Sequence, residues 1–580
     1  ACTVNGNNPS NGNNGNNGSS KGTPNFNVPE GGYDSSKKVE ITFYHTMGSN
    51  LSDVLDLYIT EFNKLYPNIT VKAEKIGGYD DVRDQIKTEI SAKKQPNLAY
   101  CYPDHVALYN LAKAVVTLDN LIDSTIEVTR ADGTKEGLGL TEDQKNDFIK
   151  GYYEEGKQFG DGLMYTLPFS KSTEVLYYNK TFFEQHNLKV PTTWDEMIAC
   201  LEAASKDSDF RNPLGLGVDS GSATRTFLAW VVQMYMDQYF RDFIDVAHSQ
   251  KGDYSYSSQI DGNYEYDLSD LLLGDSSNYT YNLNRMIDAY FNDTDEWGPL
   301  SPRFQDMMAN LQELLPYIDT KASYGDLFNR FNETASSYNA DGSDNGLYHD
   351  RKIFYIQRLD YILTYKTAFE TKGTKLSVKD IGDRLGWFAL PPMTDHGDDG
   401  VGAPAADTVR SLGGVESELG VINSGNQAHT DLAVDFLAYF YSPQGMNVRL
   451  QALALTGTPL VMEQLVKGVT IPENIDLVTN ALKFTGNCNL NPYLQFGYGY
   501  TNTNIKVGDT NNTVINTIAN NFADFFKSSS NNWADYGKKM LDAITDGFKN
   551  YATDQKLIYD TYENVKEATE EYKKSPYSSN

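Results

Sequence analysis

A chain of 580 residues with 40% hydrophobic and 22% charged residues can bury sizeable cores and form more than one domain. Its formal net charge of -29 excludes a nucleic-acid partner, because polyphosphate recognition needs a basic surface, and disfavours loose docking on anionic lipid. Acidity of this size reads as solubility in an external medium. No stretch approaches the roughly 18 apolar residues that span a bilayer. The longest candidate, Phe227–Met236, is short and contains Gln233. Any membrane connection is therefore expected to be an anchor.

In chain order, Cys2 comes first, followed by NGNNPSNGNNGNNGSSKG, a low-complexity tract that cannot pack a core. Residues 1–36 are expected to form a disordered tether. A small residue, a cysteine and a polar tether resemble the mature end of a bacterial lipoprotein, which implies acyl chains on Cys2 and a tether that lets the folded part reach away from the membrane. Cys101, Cys200 and Cys488 lack CxxC or zinc-ligand spacing and read as buried free thiols.

Order is expected from Lys37. Val39, Ile41 and Phe43 alternate as in a strand that ends at Tyr44, His45 and Thr46. Leu51, Val54, Leu55, Tyr58, Phe62 and Leu65 recur at helical spacing until Pro67 stops them. A strand over Ile69–Ala73, a helix over Asp81–Ala92 and a strand over Leu98–Tyr102 follow. Strands alternating with helices imply βαβ units and a mainly parallel sheet, whose ligands sit at the carboxyl ends of the strands. The turns Tyr44–Gly48, Gly77–Asp80 and Tyr102–Asp104 therefore share one candidate rim. From Asp219 to Tyr348 the pattern loosens into a Tyr-, Asp-, Ser- and Asn-rich region, read as a large helical or loop insertion kept ordered by its aromatics. A strand returns at Lys352–Ile356 and a helix at Asp431–Tyr441. The last hundred residues read as helices, with a polar tail after Lys574.

Four stretches resemble the extracellular solute-binding family typified by maltose- and glycerol-phosphate-binding proteins. They are VEITFYHTMGS (Val39–Ser49) with EFNKLYPNITV (Glu61–Val71); QPNLAYCYPDH (Gln95–His105); LPFSKSTEVLYYNKTFFEQHNLKVPTTWDEM (Leu167–Met197); and LGGVESELGVINSG (Leu412–Gly425) with DLAVDFLAYFYSPQG (Asp431–Gly445) and TGTPL (Thr456–Leu460). The resemblance implies an α/β, periplasmic-binding-protein-like fold of two lobes joined at a hinge, with the ligand in the cleft between them and hinge closure as the signal to a transporter. It places one lobe at 37–169 and 411–458 and the other at 170–410 and 459–575, with crossings near Ser170, Arg410 and Pro459. It also implies that this is the substrate-binding component of an ABC importer, a monomer acting with permease subunits outside the cell. Residue by residue, Asp104 falls where relatives set an acid against ligand hydroxyls, Ser172 at a polar hinge position, and Tyr79 at an aromatic cleft position. Gly414 and Glu416 lie in the matching cleft loop. The arginine that the glycerol-phosphate type offers to phosphate is replaced by NPYLQFGYGYTNTN (Asn491–Asn504), with Tyr498 and Tyr500, which favours a neutral oligosaccharide.

Sugars present hydroxyl edges and apolar C–H faces, so their sites use flat aromatics together with planar amides or carboxylates. Tyr44 and His45 end the first strand on the candidate rim. Trp230, Trp297 and Trp387 are stacking candidates, Trp297 because NDTDEWGPL has a loop composition; Trp194 belongs to a helix start. Asp104, after a proline, reads equally as a helix cap. Arg358 reads either as a partner for an acidic sugar or as half of a structural ion pair. Asn339–Ser343 and Asp293–Asp295 lack the glycine a calcium loop requires at position six, so no metal or cofactor is expected. No GxSxG, HExxH or P-loop occurs. Two carboxylates suffice for a glycosidase, so a secreted glycan-degrading enzyme stands as the alternative, with a non-transport polysaccharide-binding surface protein beside it.

Overall fold

A computed structural model describes residues 23, 25, 38–47, 49–101, 105–106, 109–110, 112–122, 126–129, 135–138, 156, 163–170, 173–218, 229–253, 256, 258–268, 279, 281–322, 324–332, 350–398, 400–412, 417–461, 470–477, 488, 491–494, 514–528 and 532–554. The chain divides into two compact units. The first holds Thr3–Ser172 and Gly414–Val478, the second Thr173–Gly413 and Thr479–Asn580. Strands β1 (Val39–His45), β2 (Ile69–Lys75), β3 (Leu98–Cys101), β4 (Ile126–Thr129), β5 (Lys135–Leu138), β6 (Thr166–Ser170), β7 (Glu174–Asn179), β8 (Leu214–Gly215), β9 (Phe354–Arg358), β10 (Leu385–Phe388) and β11 (Ser417–Val421) supply three sheets.

The first unit carries a five-stranded sheet in the order β2-β1-β3-β11-β6 and the small hairpin β4-β5. β1 runs parallel to β2 and β3, while β11 is antiparallel to both β3 and β6. The alternation in β1 turns Phe43 toward one helical layer, where it meets Phe436 with ring centroids 6.4 Å apart. Tyr58 and Phe62, four residues apart on the helix Ser49–Leu65, set their rings edge-on against the same Phe436. That helix ends before Pro67, whose ring excludes helical backbone at the preceding residue. The helix Gln427–Tyr441 starts four residues earlier than its apolar period predicts, because the Asn426 side chain caps it by accepting from the amides of Ala428 and His429.

Two boundaries differ from expectation. The return to the second unit, expected at Pro459, comes only after Val478: Leu460 bridges Asp476 and donates its amide to the Ile475 carbonyl, which keeps this turn on the first unit. The expected tether over residues 1–36 is interrupted at Asn25, which hydrogen-bonds to Val115 and Thr117.

The second unit carries a four-stranded sheet in the order β10-β7-β9-β8. Thr193 caps the helix Trp194–Ser205 through the Glu196 amide, and Trp194 is buried edge-on against Tyr235 at 5.4 Å. Among the described residues the Tyr-rich region is mostly helical, with Ala229–Phe240, Phe243–Ala247, Leu283–Asn292, Pro302–Gln312 and Tyr324–Asn332. The buried faces of the first four (Tyr235, Phe240, Phe243, Met286, Tyr290 and Phe304) belong to the unit's main core.

This core encloses a charged hub. Asp237, Arg241 and Arg410 are all fully buried. Arg241 donates from Nε and Nη2 to Asp237 Oδ2, and Arg410 donates from Nε to the same oxygen and from Nη2 to Oδ1. Asn491 adds a bond to Oδ1 at 3.1 Å. The remaining arginine donors go to Leu268 O, Thr408 and the Tyr266 hydroxyl, so one carboxylate joins a helix, the Tyr-rich segment and two distant loops. Burial alone opposes ionisation of Asp237, but the two guanidinium groups outweigh it and hold its carboxyl below the usual range.

Cys101, Cys200 and Cys488 are free and buried, and burial pushes the Cys200 thiol up to about 11.

Candidate functional site

In the first unit β1, β2, β3 and β6 all point their carboxyl ends the same way. Tyr79 opens the helix that follows β2, Tyr100 is the penultimate described residue of β3, and Phe169 is the penultimate residue of β6. Their rings form a row. Tyr79 stacks on Tyr100 with centroids 5.5 Å apart and an 18° tilt, and Tyr100 meets Phe169 edge-on at 4.8 Å. Phe169 then contacts Phe440 at 5.6 Å, and the Arg449 guanidinium lies 3.8 Å from the Phe440 centroid. Tyr100 is buried, whereas Tyr79 and Phe169 are half-buried. Beside Tyr79, Asp80 is an exposed carboxylate, paired with Arg83 at 3.1 Å and lying 3.7 Å from His105 Nε2.

Tyr44 and His45 end β1 on this rim, but the structure spends both side chains internally. Successive strand residues face opposite sides. Tyr44 therefore turns toward the helix Tyr79–Ser91 and donates its hydroxyl to Glu89 at 2.8 Å, and burial with the Glu89 charge pushes its pKa up to about 12. His45 is buried against Phe43, and its Nδ1 accepts the Met47 amide. Desolvation, with Lys75 second, holds the His45 imidazole below its ordinary range. The sign follows from linkage: as pH falls through 6.5 the unfolded chain takes up a proton that the folded ring resists, so stability is lost on acidification. His45→Gln is expected to flatten the decline in urea stability from about pH 7 to about pH 5, followed by far-ultraviolet circular dichroism. An unchanged slope would assign that decline to other groups.

In the second unit β9 and β10 both run antiparallel to β7, so Arg358, Trp387 and the amino end of β7 share one edge. Arg358 lies in register with Glu174, its guanidinium is 5.6 Å from the Trp230 ring, and its Nε is 3.6 Å from Asp360. Trp230 stands in the first turn of the helix Ala229–Phe240. Trp387 lies in register with Tyr177 and meets it edge-on at 6.2 Å, while Tyr177 donates its hydroxyl to the Arg358 carbonyl at 2.6 Å. Trp230, Trp387 and Arg358 are each half-buried.

Trp297 is a correction. It is buried, not presented by a loop, lying edge-on to Phe243 at 4.9 Å with the Arg303 guanidinium 4.8 Å from its ring. The neighbouring Asp293 caps the short helix Thr294–Trp297. Asp104, Ser172, Gly414, Glu416, Tyr498, Tyr500, Cys2 and the Asn339–Ser343 motif lie outside the described residues. Sequence reasoning did not single out Tyr100, Phe169 and Phe440. An aromatic next to the last residue of a strand was the available signal for the first two. Among the described residues no three His, Cys, Asp or Glu side chains are placed to hold a metal ion, and no helix is long and apolar enough to cross a membrane.

Residues 48–302 match the family model of bacterial extracellular solute-binding proteins. The chain is 28% identical over 160 residues to the sn-glycerol-3-phosphate-binding periplasmic protein of Salmonella paratyphi A, covering 27% of this chain and 33% of that one. It is 26% identical over 193 residues to the same protein of Escherichia coli K12, covering 33% and 41%. The chain thus spans about two fifths or less of the length of these curated relatives. Among solved structures, the GacH receptor of Streptomyces glaucescens aligns with 90% of this chain and 99% of its own at a TM-score of 0.48 and 12% identity. The galacto-N-biose-/lacto-N-biose I-binding protein of Bifidobacterium longum aligns with 90% and 99% at a TM-score of 0.46 and 17% identity. Over residues 48–302 the chain is thus similar to the bacterial extracellular solute-binding proteins, glycerol-3-phosphate-binding periplasmic proteins among them.

Proposed function

We propose that this chain is the substrate-binding component of an ABC importer and that its substrate is a carbohydrate, a neutral oligosaccharide. The family supports solute capture. The observation that carries the carbohydrate reading is a set of half-buried aromatics in helix first turns and near strand ends: Tyr79 and Phe169 in the first unit, Trp230 and Trp387 in the second. Half-buried rings suit the C–H faces of sugars. A neutral ligand agrees with the charge around them, since Asp80 is exposed beside Tyr79 and Arg358 already lies against Trp230 and Asp360. Attachment through Cys2 at the outer face of the cell membrane, delivery to permease subunits and a monomeric state belong to the same reading.

Calorimetry of the full chain against a panel of neutral and acidic oligosaccharides tests it, with the sugars recovered and checked by chromatography. One-to-one reversible binding of a neutral oligosaccharide returned intact is the expected result. Shortened sugars among the products would establish the glycan-degrading alternative instead.

A further inference from the structure

We infer that Asn25 is a pin that fixes the N-terminal segment to the first unit, at the end of its sheet opposite the aromatic rim. The contact is reciprocal. Asn25 donates its amide to Thr117 Oγ1 at 2.8 Å and its side-chain Nδ2 to the Val115 carbonyl at 2.7 Å, while its Oδ1 accepts the Thr117 amide at 2.7 Å.

The chemistry of the receiving segment explains why an asparagine suits it. Residues 114–118 run along β11: Val115 bridges Ile422, Val116 donates its amide to Val421 O, and Asn423 donates to Ala114 O. In an extended strand alternate residues turn their peptide groups to opposite sides. Val116 thus spends its amide on β11, and Val115 and Thr117 aim theirs outward as an open strand edge. Unpaired edge groups need partners. A carboxamide offers one donor and one acceptor in peptide-like geometry, so Asn25 closes this edge as a short strand would.

The place of this contact gives it a consequence. β11 begins at Ser417 on the rim and reaches Val421 beside Leu98, at the amino end of β3. Ile422 lies five residues beyond Ser417, about 17 Å along the strand. The chain therefore leaves the folded unit away from Tyr79 and Phe169. Residues 3–24, 22 in number, join Cys2 to this point in the sequence.

Hydrogen exchange on the full, unlipidated chain tests the pin. Asn25→Ala is expected to speed exchange of the Thr117 amide at least about tenfold while the Val116 amide, bonded to Val421, keeps its rate. An unchanged Thr117 rate overturns the proposal, and so does equal acceleration at both amides, which would mean loss of the strand rather than of the pin.

Discussion

Asp237→Ala is expected to destabilise the second unit by about 3–5 kcal/mol, the range for removing one partner of a buried charge network. The loss exceeds the value of the contacts themselves because Arg241 and Arg410, both fully buried, are left facing each other without a counter-charge. Arg410 also has a tyrosine hydroxyl and Arg241 two backbone carbonyls, and neutral acceptors do not replace a carboxylate. Urea unfolding followed by tryptophan fluorescence isolates this effect, since all five tryptophans lie in the second unit. A loss below about 1 kcal/mol would show that water reaches the site and that the hub contributes little. The pH dependence has a definite sign. The folded-state pKa of Asp237 is depressed, so its contribution is present above the ordinary carboxylate range and disappears as pH falls through the depressed value. The wild-type protein is thus expected to lose the difference from the variant only at strongly acidic pH.

Tyr79→Leu and Trp230→Leu are each expected to weaken binding of the cognate oligosaccharide by about thirtyfold, which corresponds to about 2 kcal/mol for a stacking ring at the centre of a site. Leucine keeps apolar bulk against Tyr100 or the core of the second unit and removes the flat face. The melting temperature should therefore move much less than the affinity, and the split between the two is the diagnostic. Calorimetry with the ligand that emerges from the glycan panel measures the first, and thermal unfolding without ligand the second. Full affinity in both variants would remove the aromatic rims from the site and leave the ligand to residues not yet assigned. Loss in one variant alone would assign the stacking face to that unit.

Much of the first unit was legible because local rules and tertiary packing agree there. The period-two alternation of Val39, Ile41 and Phe43, the helical spacing up to Leu65 and the stop at Pro67 all reappear as elements. The Thr193-Trp194 helix start was equally clear, since capping chemistry lies within four residues. The site was legible only in outline. Tyr79 and Trp230 stand in the first turns of helices and Trp387 and Arg358 in strands of one sheet, whereas Tyr44, His45 and Trp297 are consumed by the fold. Nothing local distinguishes an aromatic in a DEWGP stretch that faces solvent from one that slides beneath an arginine six residues on. The choice is made by what packs from elsewhere, here Phe243 and Arg303.

From its residues alone the chain declares its α/β class, its acidic character and its resemblance to solute-binding proteins. All of these depend on composition, on short-range periodicity or on contiguous motifs. Only the tertiary structure decides that Asp237 meets arginines 4 and 173 residues away, that the tether is caught at Asn25, and that Tyr100 and Phe169 join Tyr79 in one row. Each of these is a long-range pairing whose partners carry no local mark, because a buried charge, an open strand edge and a ring face acquire their roles only when a distant segment arrives to complete them.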